Sequence, residues 1–551
     1  MKRIRIHILL PLLFISYFSS AQKLVKDINS GGQSAYPDEL VDVNGTLFFS
    51  AYTDNEGYEL WKSDGTSMGT ELVKDIVPGV FSSGPQFLTN VNGTLFFSAY
   101  TANGENELWK SDGTSAGTVI VKDINPQTGN YGGADPRNLI NFNGELIFAA
   151  NNGTTDGASE LWKSDGTNAG TVMIKNINPQ GGSYANDFMI INGKLFFIAN
   201  DGNGSELWIT DGTSAGTYMV KDICNTTNRP MAPRKYFTNV NNTLFFVPID
   251  NSYYATGSEL WKSDGTNAGT VFVKNIRIGE GGGTVYMASC NGELYFNATD
   301  GTNGVELWKS DGSSAGTLMV KDINTTSVNS YPREMINYKN EIYFSANNGT
   351  QGIELWKSNG TSSGTMMVKD IYTGVGSSDP SLFLVFNGTL FFKAQDGSSY
   401  NTWKTNGTSN ATIQHPNFDL AYGLENVHGQ HKSPAYSIVS NSTLFFSSIN
   451  GGFGSELWKY DGTMAGINEA NTDASINIYP NPSNGVFQLK MENMQSSKSA
   501  LEIYSLLGEK VLALSNIKTQ MSIDISSLSK GIYLVKLYDG SKIYNQKISI
   551  Q

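Results

Sequence analysis

The chain's nine tryptophans fall one to a repeat, at Trp61, Trp109, Trp162, Trp208, Trp261, Trp308, Trp356, Trp403 and Trp458, with spacings of 46 to 55 residues. A chain that writes one unit nine times must bury each copy against its neighbours, which leaves arrays, solenoids and rings and removes most other folds. Residues 87–124 give a full unit, FLTNVNGTLFFSAYTANGENELWKSDGTSAGTVIVKDI. It holds four short β-type runs: Phe87–Val91, Thr94–Ala99, Glu107–Ser111 and Val119–Ile124. Asn92-Gly93 joins the first two as a two-residue hairpin turn, and Asp112-Gly113 lies in the turn between the third and fourth. A variable stretch rich in Gly, Pro and Tyr leads to the next unit. Four strands per repeat of this length predict a β-propeller blade, so the fold class is all-β.

The ends of the array are complementary. The body opens on Lys23-Leu-Val-Lys-Asp-Ile28, a lone fourth strand, while the ninth unit stops after its third strand, Glu456–Lys459, and the turn Asp461–Gly466. The N-terminal strand is therefore expected to complete the last blade and remove two free sheet edges. This gives a single propeller of nine nominal blades over residues 22–467, with an open array, or a ring carrying one stray unit, as the alternative. The eighth unit departs from the pattern. Asn401-Thr-Trp-Lys-Thr-Asn406 replaces Glu-Leu-Trp-Lys-Ser-Asp, Ala411 stands where the second glycine belongs, and the run after Ile413 has lost Val-Lys-Asp-Ile.

Residues 1–21 combine Lys2, Arg3 and Arg5, an apolar stretch from Ile6 to Phe18, and Ser19 and Ala21 ahead of Gln22. That is the pattern of a secretory signal peptide cut between Ala21 and Gln22. The apolar run is too short for a comfortable membrane span. No cysteine follows the cut, so neither a lipoprotein anchor nor a transmembrane segment in the mature chain is expected. Cys224 and Cys290 are the only cysteines, too few for a disulfide framework or a four-cysteine metal site, and the sequence leaves their pairing open.

Beyond a linker at 468–474, residues 475–551 alternate apolar and polar positions between turn pairs such as Asn484-Gly485 and Asp539-Gly540, predicting a small sandwich of six or seven strands. Tyr479-Pro-Asn-Pro-Ser-Asn-Gly485, Gly508-Glu-Lys-Val511 and Gly531-Ile-Tyr-Leu-Val-Lys536 resemble the C-terminal type A sorting domain of the type IX secretion system of Bacteroidota. The resemblance implies an Ig-like sandwich that the outer-membrane translocon reads and removes, and a secreted or cell-surface destination. The repeats at 23–466 resemble the ELWxxDGT repeat proteins of the same bacteria, which implies a fold and a secreted setting but no activity.

Net charge is −12 overall, with +3 on residues 1–21 and +3 on 475–551, which leaves −18 on residues 22–474. An acidic body is unsuited to nucleic acid and suits neutral glycans or cations. The tryptophans are read as wedges between sheets, and the Asp-Gly-Thr copies, replaced by Asn359 and Asn406 in two units, as Asx turns.

Up-and-down strand order gathers the variable second-to-third loops and the connections between units on one end of the ring, where binding residues are expected. Candidate ligand-binding residues there are Tyr52, Tyr58, Tyr100, Tyr131, Tyr184, Tyr253, Tyr254, Tyr331, Tyr372 and Tyr400, each with an apolar face and a hydrogen-bonding tip. Asp201 and Asp300, in short acidic glycine-rich loops, are candidate ligands for Ca²⁺, the sole cofactor considered. His415, His428 and His431 are read as solvated loop residues. No catalytic residue is assigned. The expected function is a non-catalytic binding or adhesion role toward a glycan, matrix or protein partner. The alternatives are a polysaccharide-degrading glycosidase or lyase on the loop face, and a structural surface or matrix protein.

Overall fold

The computed structural model describes residues 22–126, 132–153, 158–223, 237–248, 259–277, 285–325, 328–415, 437–449, 452–462, 475–492, 499–505, 510–515, 517–518, 520–539 and 542–551. The expected signal peptide with Ala21, the linker at 468–474, Tyr131, Tyr253, Tyr254, Cys224, His428 and His431 lie outside them. The chain divides into two compact units, Gln22–Gly462 and a C-terminal one ending at Gln551. Every described element is a β-strand, and none of the described residues forms a helix long and apolar enough to cross a membrane.

Gln22–Gly462 contains nine four-stranded antiparallel sheets in a propeller-like arrangement. The second one shows how the repeat folds. Its strands are Gln86–Val91, Thr94–Tyr100, Asn106–Ser111 and Val119–Lys122, paired in chain order. Asn92 and Gly93 both have positive φ, 51° and 86°, as a type I′ hairpin turn demands. Gly113 follows at φ 89°, and the Asp112 carboxylate accepts the Thr114 N–H and hydroxyl, the expected Asx turn. Asn359 and Asn406 make the same turn.

The second strand does not alternate: Leu95, Phe96, Phe97 and Ala99 are all buried. Each sheet is covered on both faces by its neighbours, so the run reads as continuously apolar. Trp109 stacks on Phe97 across the strand pair, 6.4 Å between ring centroids, and shares a core with Val43, Phe48 and Leu60 of the first sheet. The tryptophans are wedges between sheets, as expected.

Three kinds of bond recur between successive sheets, the first of them at eight seams. The fourth-strand lysine donates to the threonine carbonyl of the next sheet's third-to-fourth turn, from Lys26 to Thr70 through Lys369 to Thr412, at 2.6–2.8 Å. At Lys26, Lys74, Lys321 and Lys369 the ammonium also stands about 6 Å over the next tryptophan, as Lys74 does over Trp109 at 5.8 Å. The third-strand lysine reaches the next Asp-Gly carbonyl from Lys62 to Gly113 at 2.9 Å and from Lys110 to Gly166 at 2.8 Å, whereas Lys163, Lys309 and Lys357 pair with Glu145, Glu293 and Glu341 and the fourth sheet has Ile209 there. The hairpin asparagine reaches the next hairpin glycine from Asn92 to Gly144 at 3.0 Å and from Asn241 to Gly292 at 3.2 Å.

Lys23–Lys26 takes the fourth place in the ninth sheet, pairing antiparallel with Ser455–Tyr460. The ninth and first sheets carry the same three bonds as the second and third: Lys26 to Thr70, Lys459 to Gly65 at 2.7 Å, and Asn441 to Gly45 at 3.1 Å. Between the eighth and ninth sheets the chemistry changes. His415 and Pro416 stand in sequence where the seventh unit has Val368 and Lys369. His415 is buried against Phe391 and Tyr460, at 5.7 Å from each ring. The reading of His415 as a solvated loop residue is therefore wrong, because it occupies the core position of a fourth-strand valine.

In the C-terminal unit, Ser475–Tyr479, Val486–Glu492 and Gln520–Asp524 form one sheet. A second sheet holds Lys510–Ser515, Ser499–Ser505, Gly531–Asp539 and Lys542–Ile550. Their shared core includes Phe487, Leu489, Leu501, Ile503, Val535 and Ile548.

Candidate binding face

The connections between units are held by the glutamate of each Glu-Leu-Trp. Glu59, Glu107, Glu160, Glu206, Glu259, Glu306, Glu354 and Glu456 are at most 5% exposed. Glu59 shows the arrangement: its carboxylate accepts the N–H of Ile76 at 3.0 Å, of Val77 at 3.3 Å and of Ser83 at 2.9 Å, and the Ser83 hydroxyl at 2.6 Å. One side chain thus fixes both ends of the connection from residue 76 to 83. The sheet ladder cannot serve those amides, because the chain is leaving one sheet for the next.

Burial pushes the carboxyls of Glu59, Glu107, Glu306 and Glu456 up to about 7, outweighing the donors that favour the ionised form. The unfolded chain releases these protons near 4.5, so folding takes up protons in between and stability falls as pH rises through that window. The turn aspartates work the other way. Asp64, Asp112, Asp165, Asp211, Asp264 and Asp311 are held below the ordinary 3.8 by hydroxyl and backbone donors, and their contribution is lost as pH falls below it. Melting temperature should therefore peak at about pH 4–6 and decline toward pH 8. Calorimetry at unit pH steps tests this, and a profile that is flat or rises from pH 5 to 8 removes the glutamates from the balance.

Six of the connections end in a stitch between two sheets. Ala35 C=O accepts Tyr52 N–H from the following sheet at 2.7 Å, and Tyr36 N–H donates to Ser455 C=O of the preceding one at 3.0 Å. The pairs Ser83/Gly84, Ala134/Asp135, Ser183/Tyr184, Ser330/Tyr331 and Ser378/Asp379 repeat both bonds. The second residue of each pair lies in the left-handed region, with φ from 46° to 56°. Gly and Asp suit that conformation, whereas a tyrosine there costs on the order of 1–2 kcal/mol. Tyr36, Tyr184 and Tyr331 hold it nonetheless, with side chains 50%, 56% and 55% exposed.

Of the tyrosines singled out from sequence, Tyr184 and Tyr331 thus occupy equivalent places. Tyr100 and Tyr400 are exposed where the second strand ends and the third begins. Tyr52 and Tyr58 are half-buried cross-strand partners with ring centroids 5.2 Å apart. Tyr372 is packed in: a Cβ added at Gly376 or Gly397 would meet its ring at 2.6 or 2.7 Å. Tyr36 was missed, although it stands seven residues before the end of its first strand, at Val43, as Tyr184 and Tyr331 do before Ile191 and Tyr338. The clamp glutamates were missed too, since a repeated Glu beside Trp reads as a solvated side chain until the strand register buries it.

The Asp300 carboxylate is occupied by the Thr302 and Asn303 N–H groups and the Asn303 amide, and Asp201 accepts Asn203 N–H. Both loops are Asx-type turns. The described residues contain no group of three or more His, Cys, Asp or Glu placed to hold a metal ion. Cys290 is a thiol buried in the core that includes Tyr295, Ile342 and Phe344.

Residues 477–551 match the secretion system C-terminal sorting domain. A type IX tail of this kind implies export by that system to the cell surface or the medium. No curated protein matches the chain. Among solved structures, a puromycin hydrolase mutant complexed with PGG is similar over 66% of this chain and 58% of its own, at 13% identity and a TM-score of 0.34. A prolyl endopeptidase covers 66% of this chain and 55% of its own, at 12% and 0.34. The β-propeller domain of the Trilobed protease from Pyrococcus furiosus covers 59% and 93%, at 10% and 0.29. The chain spans less than two thirds of the first two, and likeness at this level says nothing about chemistry.

Proposed function

We propose that the protein is a non-catalytic binding or adhesion protein of the cell surface or medium, built on a single nine-bladed propeller closed by its N-terminal strand. Its connection face would hold a glycan, matrix component or protein partner. In this reading Met1–Ala21 is a signal peptide removed before Gln22, the body is of the ELWxxDGT type found in Bacteroidota, and the Ig-like tail is read by the translocon. One observation carries it: exposed tyrosines stand on connections that buried glutamates clamp, which is a preorganised surface of the kind binding requires.

The test is electrophoresis of residues Gln22–Gln551 through native gels cast with single polysaccharides, with and without chelator, beside pull-downs from the extracellular matrix. The expected result is retardation in at least one gel with its polymer stain intact, or capture of a matrix partner. A cleared zone in the stain would replace this reading with polysaccharide cleavage. Free migration in every gel with no partner captured would leave a purely structural role.

A further inference from the structure

Tyr36, Tyr184 and Tyr331 precede the first, fourth and seventh sheets, three units apart each time. In the closed ring of nine proposed above, on which this inference rests, three units are one third of a turn. We propose that these three rings are the prongs of one trivalent platform that takes a neutral polysaccharide, each prong stacking against a sugar ring of the polymer.

The backbone argues that the side chains are there for something other than the fold. The same stitch is made with Gly84, Asp135 and Asp379 in three other units, and these residue types accept a left-handed φ readily. Tyrosine accepts it poorly, and each of these residues stays about half exposed, while the Tyr331 hydroxyl accepts the Asn329 amide at 2.6 Å. A strained residue that does not repay the fold is a mark of function.

The arrangement also selects the partner. Gly84 and Asp135 fill the equivalent places between Tyr36 and Tyr184, so the three prongs stand apart, with Val80, Phe81 and Tyr100 also exposed between the first two. A protein interface needs a contiguous patch of about 800 Å² on each side, whereas the three prongs are spread a third of a turn apart. A net charge of −18 on residues 22–474 disfavours a polyanion. A neutral polymer repeats the same weakly held face many times, and three weak subsites then add through effective concentration.

The chain Gln22–Gln551 is compared with Tyr184→Asn and with the triple variant Tyr36→Asn, Tyr184→Asn, Tyr331→Asn, asparagine being tolerant of the left-handed region. Probes are immobilised neutral glucan, mannan and xylan, the polyanion alginate, and tetrasaccharides cut from each neutral polymer. The expected pattern is retention on at least one neutral polymer, weakened roughly 3–10-fold in the single variant and about 100-fold or more in the triple, with the tetrasaccharide held weakly even by the parent. The triple variant should melt at the parent's temperature or slightly above it, because strain is relieved.

A melting temperature several degrees lower would make the rings packing elements and overturn the proposal. So would parental retention by the triple variant, retention on alginate alone, or none on any neutral polymer. If parental retention survives in the triple variant but is lost in Tyr100→Ala, Tyr400→Ala, the platform fails while the binding face stands. Clearing of the polymer would instead bring down the non-catalytic reading itself.

Discussion

Glu354→Ala is expected to be the most damaging single truncation on the connection face. The carboxylate accepts Ile371 N–H at 2.8 Å, Tyr372 N–H at 3.3 Å, Ser378 N–H at 3.1 Å and the Ser378 hydroxyl at 2.6 Å. Alanine strips all four donors of their acceptor in a place that water does not reach. Unsatisfied buried groups cost about 1–3 kcal/mol each, and with partial relaxation the loss should total roughly 3–5 kcal/mol. Glu354→Gln keeps the shape and one acceptor oxygen but turns an amide toward the remaining donors, so it should fall between alanine and the parent. It should also flatten part of the decline in stability toward pH 8. An array of repeats need not unfold in one step, so the loss is best read locally, by hydrogen exchange at residues 371–379. Those amides should lose at least about a hundredfold in protection, while strands of distant sheets keep theirs. Unchanged protection would mean that the clamp is idle.

The same residues show where the sequence is a good guide and where it falls short. Four strands per unit, the Asn92-Gly93 and Asp112-Gly113 turns and the lone strand at Lys23 are local features. Each follows from a short run or a turn pair, and the structure has all of them. What could not be read are the consequences of register. The expected fourth strand runs from Val119 to Ile124, yet it ends at Lys122, because Ile124 N–H turns away to the Glu107 carboxylate at 3.3 Å.

Phe87 looks like an ordinary strand residue, but it sits at a bulge with φ 56°, which re-aims the chain as the connection enters the sheet. On the candidate binding face, tyrosine content picked out residues without separating the exposed ones from the packed ones. Tyr372 and Tyr184 look alike in sequence, yet Gly376 and Gly397 lie against the ring of one while the other is left exposed. Counting back from the strand ends would have found Tyr36. His415 was misjudged because its unit had lost the pattern that would have marked it as a core position.

Removal of Gln22–Asn29 is expected to have the larger effect on the body as a whole. That segment supplies the fourth strand of the ninth sheet, with Lys23 opposite Lys459, Leu24 opposite Trp458 and Lys26 opposite Leu457. Val25 and Ile28 are buried in a core shared with Leu47, Phe49 and Trp61 of the first sheet. Lys26 holds the Thr70 carbonyl, and Glu456 holds Ile28 and Asn29 N–H at 2.9 and 3.4 Å. Two aliphatic side chains at about 1.5–3 kcal/mol each, with a buried carboxylate deprived of two donors, bring the loss to the order of 5 kcal/mol or more. The deletion also bares the edge of Ser455–Tyr460, which invites pairing with a second chain. The shortened protein should melt earlier, in more than one step, and should self-associate in sedimentation. Reinserting Gln22–Asn29 behind Gly466, where every other unit has its fourth strand, should restore a single late transition and a monomer. If the shortened chain melts like the parent, the ninth sheet does not depend on its borrowed strand, and the two remaining bonds to the first sheet, from Lys459 to Gly65 and from Asn441 to Gly45, would have to hold that seam without it.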